Sequence, residues 1–283
     1  MKLATFTDAQ GTRTGVVDGD RLIDLSRAAP ELPTDLGVLL AAGPAALDQA
    51  AAARGEGPAL TDIRLEAPVP RPGKFLAIGL NYLDHIAELG AARPDFPSCF
   101  VKLSTAITGP YDPVWRPGIS ASLDYEAELG IVIGQRCRHV ARSDAAQVIA
   151  GYVVVNDFTI REWVTKSPQV TLAKSFDTCA PFGPWLVTAD EVGDPRALGI
   201  RTLVNGELRQ DSNTSEMLFD CFSLVEIVSA ACTLEPGDVI STGTPPGVGE
   251  GMTPPRYLKP GDTVRVEIDK IGALENRIVD EPS

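Results

Sequence analysis

From residue 74 onward the chain is a series of short apolar or alternating runs bounded by Gly, Pro or Asp: "KFLAIGL", "AELGIVIG", "GYVVVNDF", "PWLVT", "IRTLVNGEL", "DVISTG" and "DTVRVEI". Runs this short, rich in Val and Ile, form strands more readily than helices, which constrains this part to a large, mostly β body with some α. Two similar stretches, "LEPGDVI" and "LKPGDTVRVEI", set Pro-Gly-Asp directly before a strand at Pro236 and Pro260, and predict tight turns. Helical pattern is confined to "NYLDHIAELG", "DAAQVIAGY" and "MLFDCFSLVEIVSAA".

Ahead of this body, "KLATF", "TGVV" and "RLIDL" read as short strands, with "DGD" as a turn between the last two. Residues 35 to 54, rich in Ala and Leu, read as helices broken at Gly43-Pro44, and "APVPRPGK", residues 67 to 74, reads as a linker. A small N-terminal α+β domain over 1–68 and a larger domain over 69–283 are therefore expected, in keeping with 283 residues and a usual domain of ~150.

A formal net charge of −13 argues against a nucleic-acid binder, which needs clustered Lys and Arg, and against adhesion to anionic membranes. No apolar run approaches a membrane span, and "MKLATFTDAQ" turns polar too soon for a signal peptide. The five cysteines are scattered without CxxC spacing, which speaks against zinc and redox motifs and fits reduced thiols in a cytoplasmic protein. Neither GxGxxG nor GxxxxGK[ST] is present.

In "DYEAELGIVIG", Asp124, Glu126 and Glu128 fall on every second position and share one face of a strand. Either water screens these like charges, as on a solvated strand face, or a cation holds them. In "GLNYLDHIAELG" Asn81 reads as an N-cap and Gly90 as C′ of a helix of about two turns. That helix sets His85 and Glu88 at i and i+3, where the carboxylate orients the imidazole as a general base, or where the two form a plain surface pair. "GYVVVNDF" runs a buried strand into Asn156 and Asp157, either an acid presented at a site or an Asn-Asp turn. "KSFDT" supplies Lys174, and "STGTPPGVGEG" is a Gly-rich turn whose N–H groups and Thr244 hydroxyl could hold an anionic ligand end, or a plain surface loop.

Taken in order, "GLNYLDHIAE", "FVK", "DYEAELGIVIG", "GYVVVNDFTIREW", "KSFDT" with "PFGPW", "NGELRQDSNTSEM" and "STGTPPGVG" resemble the fumarylacetoacetate hydrolase family over about residues 70 to 280. The first 65 or so residues resemble the small variable domain of many bacterial members. The resemblance implies a mixed β-sandwich and β-roll catalytic domain and an acylpyruvate or 2,4-diketo acid hydrolase-like member. It implies a metal held by Glu126, Glu128 and Asp157, with Asp124 orienting the site from behind; an all-oxygen set suits Mg²⁺, with Mn²⁺ or Ca²⁺ as alternatives.

The resemblance also assigns His85 and Glu88 as a lid dyad, Lys174 as the active-site lysine, and Thr244 as a contact to substrate. Tyr82, Lys102, Arg161 and Gln210 join it as further substrate-binding candidates. The implied reaction is hydrolysis of the C3–C4 bond of a 2,4-dioxo acid to pyruvate, or another 2-oxo acid, and a carboxylic acid. His85 would take a proton from the attacking water, and Lys174 would add positive charge. Oxaloacetate decarboxylation, and isomerisation or hydration of a 2-oxo acid, use the same site, and a metal-stabilised binding protein is the non-enzymatic alternative. The expected partners are a small 2-oxo acid and a second copy of the chain, as homodimer. The chain departs from many members at Glu162-Trp163-Val164, where they have Asp-x-Gln, and at Ala173, where they have Gly.

Overall fold

The computed structural model describes residues 1–282. Strands β1 (Lys2–Asp8), β2 (Gly11–Asp18) and β3 (Arg21–Asp24) open the chain, and after one helical turn at Leu25–Ala28 come helices α1 (Leu36–Ala41) and α2 (Pro44–Ala52). The break between the helices falls where expected: Gly43 has φ 87°, and Pro44 opens α2. Next come β4 (Phe75–Gly79), α3 (Leu83–Glu88), β5 (Ser98–Val101), β6 (Leu123–Asp124), β7 (Ala127–Ile133) and β8 (Ile149–Asn156). The rest comprises α4 (Arg161–Val164), β9 (Ala180–Thr188), β10 (Gly199–Val204), β11 (Glu207–Asn213), α5 (Cys221–Ala231), β12 (Val239–Ser241), β13 (Thr263–Ile268) and β14 (Gly272–Asp280).

These strands build an 11-stranded sheet whose main path is β3-β2-β1-β9-β8-β7-β12-β4-β5. A 5-stranded sheet carries β11-β10-β13-β14 with the short strand Val114–Arg116 at its edge. The chain is thus mostly β with mixed sheets, as expected. The segment 1–68 shares both sheet and core with the rest of the chain. Lys2 pairs with Val187 and Leu3 with Leu186, and Leu3, Leu36 and Leu39 share one apolar cluster with Val153, Phe182 and Leu186. The Pro-rich stretch is no solvated linker: Ala67 and Val69 are buried, and Thr5 donates its hydroxyl proton to Pro68 O at 2.6 Å.

Local expectations hold in part. In both Pro-Gly-Asp turns the glycine has positive φ, 86° at Gly237 and 98° at Gly261, and the Asp N–H closes the turn on a carbonyl three residues back. That is a type II turn, which needs glycine at its third position. The stretch "DAAQVIAGY" divides, with a helical turn at Ala145–Val148 and strand from Ile149. Helix α5 begins only at Cys221, because Asp220 caps it by accepting from Ser223 N at 2.9 Å.

Register places the site. β7 is antiparallel to β8, with Ala127 opposite Asn156, so the start of one meets the end of the other. β12 runs antiparallel to β7 and parallel to β4, so the segments leaving β12 and β4 emerge at that same end. β9 is antiparallel to β8, and its first residues face the end of β8. Along β7, Ala127, Leu129, Ile131 and Ile133 enter one apolar cluster and Val132 another, the alternation expected of a strand. Both faces are buried.

Gly151 on β8 leaves no space for a side chain, since a Cβ there would stand 2.0 Å from Val187 O. Gly151→Ala is expected to cost about 1–3 kcal/mol through overpacking. A lowered denaturant midpoint at unchanged slope would report it; an unchanged midpoint would contradict the packing of β8 on β9.

Candidate active site

The residue pair closing β8 builds the centre. Asn156 Oδ1 accepts from Glu126 N at 3.0 Å, and Asp157 N donates to Glu126 O at 2.9 Å, so both residues grip the backbone of the segment that enters β7. This brings one carboxylate oxygen each of Glu126, Glu128 and Asp157 within 4.8 Å of one another, all three side chains buried. Asn156 was not among the expected site residues; its only sequence signal was its place beside Asp157 at a strand end.

Cations answer most of this charge. Lys174 Nζ donates to Glu126 Oε2 at 2.5 Å and to Asp157 Oδ2 at 2.9 Å. Lys102 Nζ takes the other oxygen of Asp157, and also donates to Cys179 O at 3.0 Å. Arg161 bridges Asp124 and Glu126, at 2.7 Å to each. Burial pushes the Glu126 carboxyl up, but Lys174 and Arg161 outweigh it and hold it at about 2. Burial pulls the Lys174 ammonium down, yet Asp157 and Glu126 carry it above its ordinary value. Among the described residues Glu128 has no ion-pair partner and accepts only from Ser241 Oγ at 2.5 Å and Gly243 N at 2.9 Å. Burial, reinforced by Asp157 and Glu126, pushes its carboxyl well above the usual range.

Four buried carboxyl groups (Asp124, Glu126, Glu128 and Asp157) thus face three cationic side chains (Lys102, Lys174 and Arg161), so that ionising Glu128 with the others leaves one negative charge over. A divalent cation fits this donor set, because hard cations take carboxylate oxygens and offset their mutual repulsion.

The Gly-rich stretch after β12 differs from the expected ligand-binding loop. Its amides serve the protein's own acids: Gly243 N holds Glu128, Gly247 N donates to Glu88 Oε1 at 2.9 Å, and Gly249 N and Glu250 N donate to Asp124 at 2.7 and 2.9 Å. Gly247, at φ 99°, needs its missing Cβ, which would stand 2.0 Å from Arg209 O. Asp124 is thereby a support for the loop and for Arg161, outside the triad.

Helix α3 stands over this end of the sheet. Its Nδ1 of His85 meets Glu88 Oε2 at 2.8 Å, and His85 is near enough to Glu126 to weigh on its charge. Gly90, φ 59°, closes the helix as expected. Asn81 does not cap it: its amide bonds Thr242 O, Phe219 O and Phe219 N, tying the segment after β4 to the one after β12.

Three expected substrate contacts need correction. Tyr82 is fully buried in the main apolar cluster. Gln210 has its whole amide engaged, accepting from Ala127 N and Thr202 Oγ1 and donating to Thr244 Oγ1 and Pro245 O. Lys102 is spent on Asp157 and backbone carbonyls. Of the others, Arg161 keeps an unpartnered Nη2, and Thr244, which accepts from Gln210, keeps its own proton to donate.

A buried carboxylate triad beside a His–Glu pair, at one end of a mixed sheet, marks a candidate enzyme active site. Residues 74–279 match the family described as fumarylacetoacetate (FAA) hydrolase, C-terminal, and the chain belongs to that family. It is 42% identical to the mitochondrial oxaloacetate tautomerase of Xenopus laevis across 99% of this chain and 90% of that protein. The fumarylacetoacetate hydrolase of Exiguobacterium antarcticum has a similar structure, at TM-score 0.88 and 38% identity over 99% of this chain and 100% of that one. The maleylpyruvate hydrolase of Sphingobium sp. SYK-6, solved with manganese(II) and pyruvate, matches at TM-score 0.82 and 35% identity over 100% of both chains. Among the described residues no helix is long and apolar enough to cross a membrane.

Asn156→Ala removes the side-chain acceptor that fixes Glu126 and is expected to weaken Mn²⁺ binding about tenfold, with a stability loss of about 1–3 kcal/mol. Calorimetric titration with Mn²⁺ would measure it, and an unchanged affinity would mean that Asn156 does not position the triad.

Proposed function

We propose that this chain is a divalent-metal-dependent enzyme, with Mg²⁺ or Mn²⁺, acting on short 2-oxo acids that carry a second carbonyl at C4. Its reaction is hydrolysis of the C3–C4 bond of an acylpyruvate-type substrate. The observation carrying this reading is the His85–Glu88 pair beside the buried triad of Glu126, Glu128 and Asp157. A divalent cation at that triad supplies Lewis-acid polarisation of the 2-oxo carbonyl.

The chain's own residues do the rest. Glu88 accepts from His85 Nδ1, which leaves Nε2 as the nitrogen that takes a proton, first from the attacking water, and then returns it to C3 of the leaving fragment. Gly247 N fixes the second oxygen of Glu88, so the base is oriented before substrate arrives. Lys174, held between Glu126 and Asp157, keeps a positive charge beside the 2-oxo group, where negative charge grows as the bond breaks. Thr244 has a free hydroxyl proton for the substrate carboxylate. Arg161 Nη2 offers a further donor.

The likeness to the Xenopus tautomerase favours a second reading: proton transfer between C3 and the 2-oxygen of oxaloacetate, with the same Nε2 and no attacking water. Proton NMR with Mg²⁺ separates the two. Under the first, acetylpyruvate yields pyruvate and acetate, and His85→Ala lowers kcat/KM by about 10²–10⁴. Intact acetylpyruvate with faster decay of enol oxaloacetate would replace it by the second; no effect on either would overturn both.

A further inference from the structure

On a chain of net charge −13, one cleft apart from the acidic centre gathers cations. It encloses about 470 Å³, and Arg116, Arg209, Arg256 and Lys259 line it, with Asp262 as the acid on its wall. The acids within reach do not use up this charge. Glu207 takes Arg256 at 2.8 and 3.0 Å and also Arg209 at 3.1 Å, while Asp280 takes Arg116 at 3.1 Å. Two carboxylates therefore serve three guanidinium groups. Asp262 is itself engaged by Asn205 Nδ2 and Lys259 N, and the Lys259 ammonium has no acidic partner among the described residues.

A second observation points to a ligand. Among the described residues neither the Nε–H of Arg209 nor that of Arg116, both buried, has an acceptor, and the Arg209 side chain is only 7% exposed. Native proteins leave few such donors unpaired. Guanidinium forks match carboxylate and phosphate oxygens; Arg209 and Arg256 share the single charge of Glu207, and the Lys259 ammonium adds a further positive charge that Asp262 offsets only in part.

We propose that this cleft binds a small polyanion, carrying either several carboxylates or a phosphate group, at a site distinct from the catalytic one. The cleft backs directly onto the catalytic loop. Arg256 N donates to Gly249 O at 2.9 Å, and Arg209 O presses against Gly247, whose own amide holds Glu88 while that of Gly249 holds Asp124. An anion bridging Arg209 and Lys259 clamps residues 255–259 against that loop, and the effect is reciprocal by linkage.

The test is calorimetry on the Mg²⁺-loaded protein with saturating oxalate occupying the catalytic centre, titrated with tricarballylate and, separately, with inorganic phosphate. At least one is expected to bind, the tighter identifying the source. Lys259→Glu, an exposed position that leaves the fold intact, is expected to weaken it at least about tenfold. Hydrogen exchange should slow at the amides of 249–250 and 256–259. Absence of binding up to about 10 mM, a loss of binding caused by oxalate, or unchanged affinity in Lys259→Glu would each overturn the proposal.

Discussion

Where β7 begins and β8 ends, strand register forces three carboxylates into a buried space with oxygens no more than 4.8 Å apart. At that separation, with an effective dielectric of about 20, each pair of like charges repels by roughly 3–4 kcal/mol. The surrounding structure answers this repulsion residue by residue. Lys174 lies between Glu126 and Asp157, Lys102 takes the far oxygen of Asp157, and Arg161 ties Glu126 to Asp124. Among the described residues Glu128 is left to a serine hydroxyl and one amide, so a further positive charge beside it would let it ionise with the rest of the cluster.

The loop after β12 extends the same logic. Within a few residues its amides reach Glu128, Glu88 and Asp124, one from the triad, one from the His–Glu pair and one from the support behind. Small residues are needed because this backbone runs against its neighbours, as at Gly247 against Arg209 O. The orientation of His85 is consequently coupled to the geometry of the carboxylate triad through one backbone segment. Asn81 adds a second tie between helix α3 and that loop.

What the sequence disclosed was the part written at short range. Strand alternation in "AELGIVI", the Gly43-Pro44 break, the Pro-Gly-Asp turns and the His85–Glu88 spacing all depend on residues a few positions apart, and all are found in the structure. Long-range saturation was hidden. Gln210 finds Ala127 N 83 residues away, and Lys102 finds Asp157 55 residues away, so neither pattern could reveal that these polar groups were already engaged. The same holds for the N-terminal strands. Their local pattern is that of a small separate unit, while pairing of β1 with β9 joins them to the large sheet. Only the family motifs, not spacing, connected Glu126 and Glu128 to Asp157.

Anomalous diffraction at the manganese edge from crystals soaked in Mn²⁺ tests the central claim most directly. The expected result is one peak at about 2.0–2.4 Å from oxygens of Glu126, Glu128 and Asp157. A peak elsewhere, or none at the triad under saturating Mn²⁺, would contradict the view that a divalent cation completes this buried charge cluster.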